Sequence, residues 1–187
     1  MNAFFDKFIF TNSLKYRNNN FFLVNIPFVI CPTELLKSLV ARNDEELNKD
    51  IYYSVKESTR SELLKQFDVD FGLHHGKAIK LVEDFFSASG WGLITNVDVD
   101  PENRRAIVVV DNSPFAESLR GHAHMEVNHF MRGVLAGLFS HAFGVDLDCV
   151  ESECSALRGV SCKFIVQGLE HFDFSKPEFR RQLRVTA

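Results

Sequence analysis

The chain has 187 residues, a net charge of -4 and a pI of about 6.0. That length suits one domain, and the acidic balance argues against a nucleic-acid binder, whose phosphate contacts need a basic stripe. A run of about 18 apolar residues, the length a membrane helix needs, is absent, so no transmembrane segment is expected. Hydrophobic residues at 45% are enough for a full core. Phe is over-used, at 19 copies against one Trp and three Tyr. Phe buries area without a polar handle, so the surplus points to a thick apolar core or an apolar cavity.

Residues 1–20 are mixed and read as an N-terminal extension closed by Asn18-Asn19-Asn20, a turn-like polar break. The opening Met1-Asn2-Ala3-Phe4-Phe5-Asp6-Lys7 lacks a secretion signal, so a cytoplasmic, reducing compartment is expected. From Phe21 to Cys31 the chain reads as extended and apolar, but Pro27 and Pro32 interrupt it. Proline removes a ladder donor, which makes this an edge strand or a loop on the core. Thr33 is a candidate N-cap for a helix with Leu35, Leu36, Leu39 and Val40 at helical spacing, and the charged stretch Asn43 to Lys49 is expected to end it. Ile51 to Phe86 reads as mostly helical, with apolar stripes Val55, Leu63, Leu64, Phe67, Phe71 and then Ile79, Val82, Phe85, Phe86. Gly72 to Gly76 should break that run in two, with His74-His75 at a solvated turn.

Gly90-Trp91-Gly92 ends the helical region, and Trp91 reads as a core anchor or a pocket wall. Leu93 to Asp100 alternates as a strand, Asp100-Pro101-Glu102-Asn103 carries turn chemistry, and Ala106 to Val110 returns as a second strand. Asp111-Asn112-Ser113-Pro114 supplies an N-cap with Pro at the first helical position, opening a short helix that Gly121 closes. The clearest element is a helix from about Ala123 to Phe143. In it Val127, Phe130, Met131, Val134, Leu135, Leu138, Phe139 and Ala142 recur at three- and four-residue steps. Gly133 and Gly137 lie four apart on another side of it. Helix-interior Gly costs about 1 kcal/mol relative to Ala, so the pair predicts close approach of another backbone, a second subunit being one candidate. Val145 to Val150 and Cys162 to Val166 read as strands around a turn at Arg158-Gly159, and Lys176 to Ala187 as a polar, basic tail.

That last hairpin carries the most chemistry. Glu151 precedes Cys154 by three residues, and Cys162 follows eight residues later. Carboxylate and thiolate both bind zinc, and a hairpin folds the two sulfurs toward each other. In a reducing compartment the four cysteines (Cys31, Cys149, Cys154, Cys162) are thiols or metal ligands rather than disulfides. Cys31 reads as a small buried hydrophobe. Cys154 and Cys162 divide between that reading and a metal site, because a buried, unpaired Glu151 would be costly. His122, His124 and His129 read as a polar helix face near a turn.

The second half resembles the 4-vinyl-reductase domain family, distantly related to the small subunits of the TRAPP vesicle-tethering complex. Four pieces carry this in order over about residues 75 to 167: Gly90-Trp91-Gly92, Asp111-Asn112-Ser113-Pro114-Phe115, Gly133-Val134-Leu135-Ala136-Gly137-Leu138, and Glu151, Cys154, Gly159, Cys162, Phe164. The stretch Arg17 to Tyr53 looks like the family's less distinctive first half. The resemblance implies an α+β domain (an α/β sandwich) over residues 21–170, with an antiparallel sheet, helices packed on one side and a helix-mediated homodimer. It also implies a ligand-binding module. Some members sense aromatic compounds in transcription regulators, and others are linked to tetrapyrrole biosynthesis or photosystem assembly. Metal-binding members hold zinc with a Cys of the long helix plus the Glu, Cys and Cys of the hairpin. Glu151, Cys154 and Cys162 match the last three, whereas the helix position is Asn128. Asn is a poor zinc ligand, so His124, one turn earlier on the expected helix, is the stand-in, with His129 and Cys149 as further candidates.

Three functions follow. The first is a non-catalytic binding domain for a hydrophobic or aromatic small molecule, a tetrapyrrole being one candidate, with Trp91, Phe130 and Phe139 as ligand-binding residues. The second is a scaffold or assembly factor whose helical face docks a partner protein. The third is a component of a tetrapyrrole vinyl reductase. His122, His124, Glu126 and His129 are the acid-base groups available to that enzyme, but no Gly-x-Gly-x-x-Gly follows a strand to hold a nicotinamide or flavin cofactor.

Overall fold

The computed structural model describes residues 14–23, 26–29, 31–64, 86–87 and 90–184. The stripe residues Phe67, Phe71, Ile79, Val82 and Phe85 and the pair His74-His75 lie outside them. A three-stranded antiparallel sheet opens the described chain, with strands β1 (Leu14–Arg17), β2 (Asn20–Leu23) and β3 (Ile26–Phe28) in that order. Asn18 and Asn19 join β1 to β2 with φ of 51° and 60°. Two consecutive positive φ values make the type I′ turn that matches strand twist, and Asn tolerates that region. The polar break is therefore a hairpin turn, and the last residues of the expected extension supply its first strand. Pro27 sits in β3, an outer strand of the sheet, opposite Phe22, where its missing donor costs no ladder bond.

Helix α1 (Thr33–Val40) starts at the residue read from sequence as its cap, one position earlier than expected. Pro32 takes the cap position and Thr33 is already helical, with no side-chain cap bond. Val40 is buried, but Leu35 and Leu39 remain 64% and 37% exposed. The charged stretch that was expected to end this helix opens the next one, α2 (Glu45–Ser58). The Asp44 carboxylate accepts from the N–H groups of Glu46 and Leu47, each at 3.1 Å, and Glu45 and Glu46 suit the positive end of the helix dipole. A π-helical turn, Thr59–Leu63, continues α2.

The second sheet has strands β4 (Leu93–Asp100), β5 (Arg105–Asp111), β6 (Asp148–Glu153) and β7 (Cys162–Gln167), all antiparallel in the order β4-β5-β7-β6. Ala106, Val108 and Val110 of β5 and Cys162, Phe164 and Val166 of β7 fill one buried face. Helix α3 (Pro114–Leu119) begins at the predicted cap: Ser113 accepts from Ala116 N, and Pro114 takes the first position. Helix α4 (His129–Phe143) packs against β6 and β7, and α2 packs against α4. A single turn of 3₁₀ helix (Leu169–His171) leads to α5 (Pro177–Gln182), which lies against β6 and α2. The α+β class with an antiparallel sheet and helices stacked over one face is what the sequence predicted.

Two expectations about the long helix change. It begins at His129, not Ala123, because residues 123–128 run outside helical geometry. Val127 is only 1% exposed, so a buried loop residue happened to sit in phase with the helix. Gly133 and Gly137 do face another backbone, but it belongs to α2 of the same chain. A Cβ on Gly133 would stand 2.7 Å from Val55 Cβ and 2.8 Å from Tyr52 O, and one on Gly137 would stand 2.7 Å from Lys56 O and from Thr59 Cβ.

Candidate functional site

The hairpin of β6 and β7 brings Glu151, Cys154 and Cys162 together. One ligand atom from each lies within 4.8 Å of the others, and the residues are 0%, 3% and 0% exposed. Three local features build this. Glu151 pairs with Phe164, and a bulge at Ser152 shifts the register before Glu153 meets Lys163. The chain then turns sharply, with Leu157 and Arg158 N–H both donating to Cys154 O at 3.1 and 2.9 Å. Cys162 reopens the strand on the buried face of β7.

Asn128, just ahead of α4, closes the cluster. Its backbone N–H donates to Glu151 Oε2 at 3.1 Å, and its Nδ2 donates to Glu151 Oε1 at 2.6 Å and Cys162 Sγ at 3.3 Å. Its Oδ1 accepts from Ser113 Oγ at 2.5 Å. Ser155 adds its N–H and hydroxyl around Cys162 Sγ at 3.4 and 3.3 Å. Burial, then the neighbouring Cys162, pushes the Glu151 carboxyl up to about 8, although Asn128 donates two hydrogen bonds to it. A hydrogen bond from Cys154 lowers the Cys162 thiol to about 6, against the opposing effect of burial. Cys154 is raised by the same bond and by burial. The polarity is thus defined: Cys154 keeps its proton and donates, and Cys162 carries the more thiolate-like sulfur. The donor set suits a metal. A carboxylate and two thiols match the ligand types of zinc, and the three residues could hold such an ion.

Around it lies a polar network with no local sequence signal. Arg132 is 0% exposed. Its Nε donates to Cys149 O at 3.0 Å, a terminal nitrogen donates to Gln182 O at 2.7 Å, and its guanidinium lies 4.3 Å over the Tyr52 ring. The Tyr52 hydroxyl accepts from Cys149 N–H at 2.9 Å and donates to Asp148 at 2.7 Å, where Lys56 also binds at 2.9 Å. Gln182 of α5 accepts from Glu151 N–H at 2.8 Å and donates to Glu151 O at 2.9 Å. Its side chain therefore grips the backbone of a cluster residue from 31 positions away. His129 meets Arg132 through Nδ1 at 3.3 Å, and its buried Nε2 has no partner. Burial first, and Arg132 second, lower that imidazole to about 3.

The remaining expected site residues fall as follows. Trp91 meets Phe86, Phe115 and Phe130 at ring-centroid distances of 5.5, 5.9 and 6.3 Å, and Phe115 stacks on Phe130 at 5.8 Å and 18°. Phe139 is elsewhere: fully buried and stacked on Phe143, nine residues along α4 from Phe130, which is roughly 13 Å of helix. His124 is exposed in the loop before α4 and joins no cluster among the described residues, because the helix expected to carry it starts later. Cys149 is fully buried but outside the Glu-Cys-Cys group, His122 is exposed, and Cys31 is exposed rather than buried. An open cleft of about 410 Å³ between the π-turn and the end of α4 is lined mostly by polar residues, including Glu57, Arg60, Ser140 and Asp146, and lacks the apolar lining expected from the Phe surplus.

No family model and no curated protein sequence matches the chain. Among solved structures it is similar to the phenol-responsive sensory domain of the transcription activator PoxR with phenol, at a TM-score of 0.69 and 16% identity over 94% of each chain. Others are a trafficking protein particle complex subunit 3 from Naegleria fowleri covalently bound to palmitic acid (TM-score 0.42, 17% identity, 72% of this chain and 86% of that one) and a vinyl-4-reductase family protein from Methanocaldococcus jannaschii (TM-score 0.40, 18%, 75% and 96%). The chain has the fold of the PoxR sensory domain. No described helix is long and apolar enough to cross a membrane.

Proposed function

We propose that this chain is a non-catalytic binding domain for an aromatic or hydrophobic small molecule, with zinc held by Glu151, Cys154 and Cys162 as a structural staple. One observation carries the first part: the half-buried Trp91 and Phe130 and the buried Phe115 form a group of mutually packed aromatic rings. The Ser113–Asn128 hydrogen bond fixes this group, since Phe115 and Phe130 each follow one of its partners by two residues. Aromatic rings prefer such tilted and offset neighbours, and a planar ligand gains the same edge and face contacts. The fold shared with a domain that takes phenol supports this reading. A zinc ion at the hairpin would lock β6 to β7 and remove the cost of burying Glu151 with two sulfurs. A tetrapyrrole, and with it a part in pigment biosynthesis or photosystem assembly, is the larger-ligand version of the same proposal. We assign homodimerisation to α1, whose exposed Leu35 and Leu39 lie one turn apart, since Gly133 and Gly137 are occupied by α2.

Trp91 is the only tryptophan, so its emission reports on the group. Titration with phenol, and separately with a free-base porphyrin, should shift or quench that emission and release heat in calorimetry. An emission spectrum and a heat trace that stay flat with both ligands at millimolar phenol and micromolar porphyrin would refute the binding reading.

A further inference from the structure

We propose that Asn128 is the fourth ligand of the Glu151–Cys154–Cys162 centre, through its side-chain carbonyl oxygen. The proposal rests on the reading that this cluster takes a metal. In a tetrahedral zinc centre with donors about 2.0–2.3 Å from the ion, neighbouring donors stand roughly 3.3–3.8 Å apart. The tip of the Asn128 amide stands 3.3 Å from Cys162 Sγ, at that spacing, and 2.6 Å from Glu151 Oε1, closer than it by roughly 0.7 Å, on a residue only 1% exposed. The tip facing them is Nδ2, which has no lone pair for a metal, while Oδ1 has two. A half-turn of the planar amide exchanges the atoms and leaves the backbone in place.

That exchange is feasible because of what sits at the other end. Ser113 Oγ now donates to Asn128 Oδ1 at 2.5 Å. A hydroxyl can donate or accept, so after the half-turn the same oxygen accepts from Nδ2. After the half-turn Nδ2 keeps one partner, Ser113 Oγ, and releases Glu151 Oε1 and Cys162 Sγ, whose lone pairs are then open to the ion. The Asn128 backbone N–H keeps its bond to Glu151 Oε2 throughout, leaving Oε1 as the single carboxylate oxygen facing the centre. The other candidates for the fourth place are ruled out by position, His124 by its exposure and Cys149 by lying outside the cluster. Two sulfurs and two oxygens make a harder donor set than three sulfurs and one oxygen, which weakens the hold on a borderline ion such as zinc. The centre is therefore an exchangeable one, and its occupancy turns an amide bonded to the aromatic group's anchor.

The test is Co(II) titration of metal-free protein, followed by the thiolate-to-cobalt absorption band and by zinc competition, with circular dichroism as the fold control. The wild type should take one Co(II) per chain, with a tetrahedral spectrum and a two-thiolate band. Asn128→Cys should raise that band by about half, as three thiolates replace two, and tighten binding roughly tenfold or more; Asn128→Asp should hold the ion; Asn128→Ala should lose roughly tenfold or more in affinity. Ser113→Ala, which removes the acceptor for the turned amide, should weaken binding without changing the band. Equal affinity and spectra for wild type and Asn128→Ala would overturn the proposal, as would a wild type that refuses cobalt while Asn128→Cys accepts it. If neither wild type nor Asn128→Cys takes cobalt although both are folded, the metal reading of the cluster itself fails.

Discussion

Gly133→Ala isolates the contact between α2 and α4, and its sign alone is diagnostic. In a solvent-facing helix, Gly to Ala stabilises by about 1 kcal/mol through propensity. Here the added Cβ would lie 2.7 Å from Val55 Cβ and 2.8 Å from the Tyr52 carbonyl oxygen. Carbon atoms at rest stand about 3.5–4.0 Å apart, so α2 would have to retreat by several tenths of an ångström or more. One obstacle is backbone, which cannot rotate away, so the overpacking cost sits in the upper part of the usual 1–3 kcal/mol range, about 2–3 kcal/mol. The net expectation is a loss of about 1–2 kcal/mol. For a chain of this size each kcal/mol moves the melting temperature by about 2–4 °C, so scanning calorimetry should show a fall of about 2–8 °C. Gly137→Ala, blocked by the Lys56 carbonyl oxygen at 2.7 Å, should fall similarly. A melting temperature that holds or rises in both variants would refute the packing of α2 on α4.

Two further perturbations address the buried polar network. Gln182→Ala strips the partners from both backbone groups of Glu151. Buried groups left unsatisfied cost about 1–3 kcal/mol, so urea unfolding should show a loss of about 2–3 kcal/mol, and a change below about 0.5 kcal/mol would mean that α5 does not engage the sheet. His129, lowered to about 3 from 6.5, binds fewer protons folded than unfolded throughout that interval. Its contribution is complete above pH 6.5 and is lost as pH falls toward 3, at up to about 1.4 kcal/mol per pH unit. Between pH 5.5 and 4.5, His129→Leu should flatten the stability profile by about that amount, and an unchanged slope would show that His129 charges freely in the folded protein.

Where a short segment decides its own conformation, the chain was readable. The Ser113-Pro114 cap, the alternation from Leu93 to Asp100 and the convergence of Glu151, Cys154 and Cys162 across one hairpin all depend on residues within about a dozen positions, and all are present. Errors arose where local pattern was ambiguous. Val127 is buried without being helical, so it extended the α4 periodicity backward and carried His124 into a site it does not reach. Asp44 caps a helix inside a stretch whose charges read as a terminator. The partners of the cluster were invisible for a different reason. Arg132, Tyr52 and Gln182 act across separations of 17, 97 and 31 residues, and a buried Arg in an apolar helix offers no periodic cue. The combination of an Arg and a Ser among the small and apolar residues of α4 was the available hint.

The side-chain bonds along β6 have a consequence for self-association. This strand ends its sheet, yet two of its residues have their peptide groups taken by side chains: Tyr52 and Arg132 hold the N–H and carbonyl of Cys149, and Gln182 holds those of Glu151. An incoming strand would find no donor or acceptor there to pair with. Only β4 remains at the opposite margin among the described residues, and it carries Asp98 and Asp100, charges that oppose pairing with its own copy. Open-ended stacking needs two competent margins per molecule. With one sealed by its own side chains, this sheet can accept a single neighbour and then must stop, so it is protected against fibre growth.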